Sequence, residues 1–548
     1  MAIMKKYLGL RGHSLNYAIG AIAGCDFLLF GYDQGVMGGI LTMPSFLNLF
    51  PMLDSSAAGL TAAESSTRST TQGIAVSSYN LGCFIGAILT IFIGNPLGRR
   101  RMIMLGTSIM IVGAILQASA TTIEQFIIGR IITGMGNGGN TSTVPTWQSE
   151  TSKSHKRGKL VMIEGALISG GIMISNWIDL GFSFAPGSVA WRFPLAFQCA
   201  FCIFILCFVS YLPESPRWLV LKGRHDEAKE VLAALSDISE DDKLITNELA
   251  AIQDTVIEMS KGSFRDLFTM GKDRNFHRAL LGYVNQMFQQ ISGCNLITYY
   301  APVICKGLGM SDFLSLVLAS CIATQYFLIS WPPVFIVERV GRRKLMLFGA
   351  AGQSATMAIL AGVNSQDAAG FKVAAIVFLF VFNSFFAFGW LGMTWLYPAE
   401  IVPLRIRAPA NAMSTSANWI FNFLVVMITP VAFDSIGYQT YIIFAVINAF
   451  MVPSVYFFFP ETSYRSLEEM DSIFHKVSGA KGFLTVVGVA RNAPRRYGKN
   501  GELLIAYDET DENKAQMDHV EKRDSNSDMA ADEESARGQG GVLRGGRP

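Results

Sequence analysis

Gly98-Arg99-Arg100 recurs as Gly341-Arg342-Arg343, and Pro213-Glu214-Ser215 recurs as Pro460-Glu461-Thr462. The offsets are 243 and 247 residues. Glu150, seven residues before Arg157, recurs as Glu400, seven before Arg407. A nearly constant offset across separate motifs means that the chain carries two copies of one unit. Between the motifs lie apolar runs of about 20 residues, the length that crosses a bilayer as a helix. They centre near residues 17–40, 73–94, 102–120, 124–147, 160–182 and 192–212, then 279–305, 313–336, 344–363, 371–399, 410–432 and 439–459. The expected fold is an all-α membrane protein of 12 transmembrane helices in two six-helix repeats. Repeated halves with a site between them are the architecture of alternating-access transporters.

Composition agrees. The 548 residues are 51% apolar and 16% charged, with a mean hydropathy of +0.35, too hydrophobic for an ordinary soluble protein. A net charge of only +2 gives no reason to expect a nucleic-acid partner. All eight cysteines fall in or beside apolar runs. Cys199 and Cys202 have CxxC spacing but no second ligand pair, so no metal site is read there. No P-loop is present, and no cofactor is implied. No nucleophile–base–acid set supports an enzyme. No cleavable signal peptide is read at the start, where Lys5, Lys6 and Arg11 precede the first membrane helix.

Short loops orient the chain. Arg99-Arg100-Arg101, the Lys153–Lys159 segment, Arg342-Arg343-Lys344, and Arg405 with Arg407 all fall on one side if the helices alternate. The positive-inside rule makes that side cytoplasmic, together with both termini. The domains are then a cytoplasmic N-terminus at 1–16, a six-helix bundle at 17–212, cytoplasmic linker helices at 213–278, a second bundle at 279–459, and a cytoplasmic tail at 460–548. The segment 41–72 is read as an outer loop. After about residue 485 acidic stretches such as Asp508-Glu509-Thr510-Asp511-Glu512 predict disorder.

The densest polar stretch inside a span is Gln289-Gln290-Ile291-Ser292-Gly293-Cys294-Asn295, running on to Tyr300. Gln286, Gln289 and Gln290 share one helix face. Asn295 falls off that face unless a break at Ser292-Gly293 turns it back. Several amides around one cavity can hold a polyhydroxylated solute; the plainer reading is polar glue between helices. Among buried charges, Asp26 and Asp33 are nearly two turns apart in helix 1, Arg130 lies in helix 4 and Glu164 in helix 5. Glu124 and Asp179 are read as unremarkable residues at outer helix ends. No histidine lies in any span, so a proton relay must use carboxylates. Asp26 is read as an acid facing a wet cavity nearer the cytoplasmic end, with a second relay acid as the alternative. Asn140-Thr141-Ser142 is rejected as a glycosylation site because it lies within helix 4.

Residues 15–475 resemble the sugar porter family of the major facilitator superfamily, and within it the fungal branch, which includes hexose, pentose and polyol carriers and glycerol/proton symporters. The resemblance is carried by Gly31-Tyr32-Asp33, Leu97-Gly98-Arg99-Arg100, Gly129-Arg130, Pro213–Leu219, Gln289–Tyr300, Glu338–Arg343 and Pro460-Glu461-Thr462, in that order. Fungal character rests on Gly136–Thr143 and Arg465–Glu469.

The resemblance implies a major facilitator fold and proton-coupled uptake of a monosaccharide or related polyol across the plasma membrane by a monomeric carrier. The alternatives are a facilitative hexose uniporter, a glycerol/proton symporter or a non-transporting sugar receptor. It implies proton coupling at Asp33 with Arg130, whose approach and separation link protonation to the open side; a static ion pair is the alternative. Substrate contacts would come from Gln286, Gln289, Gln290, Asn295, Tyr300, Trp395, and Asn418 or Asn422. In helix 5, Gly165 stands where many family members carry a substrate-binding glutamine, and Glu164 beside it is the candidate replacement, or pairs with a neighbouring helix. Glu150, Arg157, Arg99, Arg100, Glu214, Arg217, Glu338, Arg342, Arg343, Glu400, Arg407 and Glu461 would form cytoplasmic salt-bridge clusters that hold the outward-open state.

Overall fold

The structure, a computed structural model, describes residues 6–493 except 56, 58, 153–156, 261, 367, 466, 478 and 480. Every regular element among the described residues is helical. The first half holds α1 (Gly12–Ile40), the short α2 (Pro44–Leu49), α3 (Ala62–Leu97), α4 (Arg99–Ala118), α5 (Ile123–Thr151), α6 (Arg157–Phe182) and α7 (Val189–Val209). A linker carries α8 (Pro216–Leu221), α9 (His225–Ser236) and α10 (Lys243–Ser260). The second half holds α11 (Asn275–Ile291), α12 (Cys294–Gly307), α13 (Asp312–Ile329), α14 (Trp331–Val340), α15 (Arg342–Asn364), α16 (Ala369–Phe386), α17 (Met393–Ile401), α18 (Arg407–Ile436) and α19 (Gln439–Phe458). Two tail helices follow, α20 (Leu467–His475) and α21 (Gly482–Asn492).

Among the described residues, ten helical stretches are long and apolar enough to cross a membrane. The remaining two spans are α5 and the α11–α12 pair. α5 is rich in Gly, Asn and Thr and is largely buried within its bundle. Its small residues bring backbones into contact: a Cβ at Gly134 would lie 2.1 Å from the Tyr79 carbonyl, and one at Gly138 2.1 Å from that of Cys83. This is how membrane helices pack without a hydrophobic drive between them.

The repeats end in the same device. The Glu214 carboxylate accepts from the backbone N–H groups of Arg99 (3.1 Å) and Arg100. Glu461 does the same for Arg342 (2.9 Å) and Arg343 (3.2 Å). Each acid thus caps a helix N-terminus, where an anion satisfies free N–H groups and meets the positive dipole end. Gly98 and Gly341 precede these helices at φ +89° and +97°. A Cβ at either would lie within 2.9 Å of the capping carboxylate, so both positions require glycine.

Two boundaries differ from the sequence reading. α3 begins at Ala62, so residues 62–72 are helical rather than loop. A capping box starts it: Thr61 Oγ1 accepts from the Glu64 N–H, and Glu64 receives the Thr61 N–H at 2.8 Å. Hydropathy alone misses such a polar first turn. The tail remains helical to Asn492, past the predicted onset of disorder at about 485; residues 494–548 lie outside the described residues. α20 and α21 dock on the N-terminal end of α11. There Arg278 pairs with Asp471, and Arg274 donates to the Val477 and Gly479 carbonyls at 3.1 Å. His277, at that end ahead of the span, is buried against Phe474 and Phe483. Burial, then Arg274 and Arg278, push its pKa down to about 4.

Candidate functional site

The seventh span is broken, and the break assembles the polar site. α11 ends at Ile291, Gly293 adopts φ +96°, and α12 starts at once. Asn295 is thereby turned back onto the glutamine face and donates to Gln290 Oε1 at 2.5 Å. Gln290 Nε2 donates to Gln289 Oε1 at 3.0 Å. Asn418 of α18 donates to both Gln286 Oε1 (2.7 Å) and Gln289 Oε1 (3.0 Å). Five amides from three helices therefore form one continuous chain.

The chain is anchored on a second break. Between α16 and α17 the residues Ala387–Leu391 form a π-helical turn, which frees carbonyls from the regular ladder. Gln289 Nε2 donates to Trp390 O (2.9 Å) and Leu391 O (3.2 Å), and Gln286 Nε2 to Thr394 O (3.0 Å). Asn285, which sequence reasoning passed over, joins them by donating to Thr394 O at 3.3 Å. Gln289 thus uses both donors and both acceptor directions. Asn418 Oδ1 and both polar atoms of Asn422 are buried without partners, so these acceptors and donors remain open.

Three expected contacts do not join the cluster. The Tyr300 hydroxyl donates to Val426 O at 2.9 Å and ties α12 to α18. Trp395 is half-buried in α17, and its indole makes no hydrogen bond among the described residues. Glu164 is buried on the α1-facing side of α6, near Asp26, because successive residues point about 100° apart on a helix. Gly165 explains the departure at this position: a Cβ there would lie 3.3 Å from Gly392 Cα. The glycine lets α6 approach the broken helix 10 closely, and a side chain there would crowd Gly392 and Leu391.

The first half meets this cluster through aromatic and amide side chains. The Tyr299 hydroxyl donates to Asn80 Oδ1 of α3 at 3.0 Å. Trp419, next to Asn418, packs against Phe30 (5.2 Å) and Tyr79 (6.4 Å). Asn80 and Trp419 were not singled out from sequence; a lone amide in span 2 and an indole adjoining Asn418 are the signals they left. The halves also meet outside, where Ser65 bonds Asp434 at 2.5 Å, and inside, where Lys159 lies over Phe335 at 5.0 Å.

Asp33 and Arg130 are both fully buried and within electrostatic reach. They make no direct ion pair. Neither Asp33 oxygen makes a hydrogen bond of normal geometry; the Tyr79 hydroxyl, which accepts from Asn137, is the polar group beside it. Arg130 instead donates to Val76 O at 3.1 Å and stacks over Tyr79 at 4.8 Å. Asp26, expected at a wet cavity, is only 1% exposed. It accepts from Asn140 at 2.8 Å, which also donates to Thr107 at 2.9 Å.

The residues expected in cytoplasmic clusters fall into two matching sets, one per half. Arg99 grips Glu150 (3.0 and 3.1 Å), and Ser215 donates to the same carboxylate at 2.5 Å. Arg342 grips Glu400 (3.1 and 2.6 Å), which accepts from Thr462 at 2.5 Å. Arg342 also holds Glu338 at 2.6 Å. Arg100 donates to Leu212 O (3.0 Å), Arg343 to Tyr456 O (2.5 Å) and Arg407 to Val402 O (3.2 Å). Arg217 is half-buried and makes no ion pair among the described residues. The side chain of Arg157 lies outside the described residues.

Comparison with known proteins gives the family and the fold. The family model for sugar (and other) transporters covers residues 18–474. The chain belongs to this sugar transporter family. Its relatives include the sugar transporter STL1 of Saccharomyces cerevisiae, 39% identical over 96% of this chain and 91% of that one. The major facilitator superfamily transporter mfsA of Aspergillus fumigatus is 41% identical over 85% of this chain and 88% of its own length. The solved structure of the proton:xylose symporter XylE shares the fold at a TM-score of 0.71 with 24% identity, covering 84% of this chain and 99% of that one. This sugar transporter is therefore a multi-pass membrane carrier of the major facilitator fold.

Proposed function

We propose that this transporter couples uptake of a monosaccharide, hexose or pentose, or of a related polyol, to proton entry across the plasma membrane. The observation that carries the reading is Asp33: a carboxylate at 0% exposure, without an ion pair and with only the Tyr79 hydroxyl beside it, close to an equally buried Arg130. A lone charge in such a site is costly, and proton uptake removes the cost. Movement of Arg130 from Tyr79 and Val76 toward Asp33 restores the counter-charge and releases the proton. Rocking of the two halves supplies that movement.

The amide chain is the sugar site. In this conformation the amides satisfy one another, and substrate hydroxyls replace those mutual bonds, with Asn418 and Asn422 supplying the open groups. Exchange of like bonds keeps binding reversible, as a carrier requires. The two cytoplasmic clusters act as paired latches that favour the outward-facing state, each half contributing one. One chain contains both halves, so the carrier works as a monomer. Uptake of labelled sugars and polyols in transporter-null yeast, with and without an uncoupler, tests the reading. Uncoupler-sensitive accumulation is expected; equilibration that ignores the uncoupler would make the protein a facilitator.

A further inference from the structure

Asp179 sits near the outer end of α6, on the face it shares with Glu164, Ile168, Gly171 and Ser175. Their spacing turns all of them toward α1. Glycines on α1 meet this stripe. A Cβ at Gly31 would lie 1.9 Å from the Ile168 carbonyl, at Gly35 2.1 Å from Ser175 Oγ, and at Gly39 2.4 Å from Asp179 Oδ2. The carboxyl group is thus pressed onto the backbone of α1. It is 0% exposed, and neither oxygen has a hydrogen-bond partner.

Its surroundings offer no counter-charge. The one polar group that acts on it is the Gly39 N–H, which makes no hydrogen bond of normal geometry to the carboxylate and as a mid-helix donor already serves the carbonyl four residues back. Tyr32 of α1 is within electrostatic reach, but its hydroxyl donates to Pro194 O at 2.8 Å. Arg192 of α7 holds the Ala118 and Ala120 carbonyls. Arg68 of α3 holds Asp54 O, and Lys306 of α12 pairs with Asp312 of α13. Asp33 lies six residues before Gly39, about 9 Å along α1 and about 120° round that helix, so the two acids are separate sites.

We propose that Asp179 is a second proton-binding residue of the transport cycle. It holds a proton while the outer end of the α1–α6 seam is closed, and exchanges it with external water when that end opens. The step is simple protonation: the carboxylate gains one proton from solvent and returns it to solvent. The proposal rests on proton-coupled transport, and the test separates the two.

The full chain is purified as wild type, D179N and D33N. Infrared difference spectra report protonated carboxyl groups directly, whatever the transport mode. D179N is expected to lose one protonated-carboxyl band that D33N retains. In proteoliposomes, wild-type KM for sugar is expected to rise as external pH increases, by up to about tenfold per unit for one titrating group, and D179N to flatten that rise. An unchanged band together with an unchanged pH profile overturns the proposal. An unfolded D179N overturns it too, because an amide of the same shape replaces a protonated acid. Wild-type accumulation that ignores an uncoupler defeats the coupling mechanism, while the infrared band still decides whether Asp179 binds a proton.

Discussion

Gln289→Ala should damage the sugar site more than Gln286→Ala, and the hydrogen bonds say by how much. Gln289 receives Gln290 and Asn418 and donates to the Trp390 and Leu391 carbonyls. Trp390 O keeps the Thr394 hydroxyl at 3.0 Å, and Asn418 keeps Gln286. The alanine variant therefore strands one Gln290 donor and one Asn418 donor and leaves the Leu391 carbonyl only a 3.5 Å contact from the Thr394 hydroxyl. Each buried unsatisfied group costs about 1–3 kcal/mol. Water entering the vacated space offsets part of this, leaving roughly 3–5 kcal/mol. Gln286→Ala strands only the Thr394 carbonyl, which shares Asn285, and one Asn418 donor, so about 1–2 kcal/mol is expected. Thermal unfolding of the purified variants, alongside equilibrium binding of labelled sugar, reads both effects. Sugar affinity should fall with the same ranking, since 1.4 kcal/mol is tenfold. Equal losses for the two variants, or a larger loss for Gln286→Ala, would refute the hub role of Gln289.

Two further outcomes concern the cytoplasmic tail. The folded-state pKa of His277, about 4, lies below its ordinary value near 6.5, so the docked tail binds fewer protons than the released one. Docking is then fully favoured above about pH 6.5 and weakens as pH falls toward 4. Hydrogen exchange across residues 467–493 should show protection lost on acidification; loss on raising the pH instead would contradict the assignment. Truncation after residue 493 should leave uptake intact. Truncation after 480 removes Phe483 from His277 and the Ala490 carbonyl from Arg465, and should lower thermal stability measurably. Equal stability of the two truncations would show that α21 contributes nothing.

The repeat was legible because its motifs encode contacts that both halves need. Gly98 and Gly341 have no room for a side chain beside Glu214 and Glu461, so the offset between motifs is the offset between folded units. The glutamine face was legible for the same reason: one helical period places Gln286, Gln289 and Gln290 together, and a single glycine break returns Asn295. What one sequence does not encode is helix rotation against a distant partner. Glu164 and Gly165 are neighbours, yet one faces α1 and the other faces Gly392. Tyr300 is polar and central, but its hydroxyl is spent on Val426. Asp179 sits where hydropathy predicts a wet helix end, and only the glycine face of α1, 140 residues earlier, makes the site dry. The helical tail to Asn492 depends on docking against Arg274, Arg278 and His277, which composition cannot report.

The most direct test of proton coupling is Asp33→Asn in proteoliposomes carrying an imposed pH gradient. The variant keeps the shape of the side chain and removes its proton site. It should still exchange labelled sugar across the membrane but should no longer accumulate it against a gradient. Accumulation at the wild-type level would contradict the central claim.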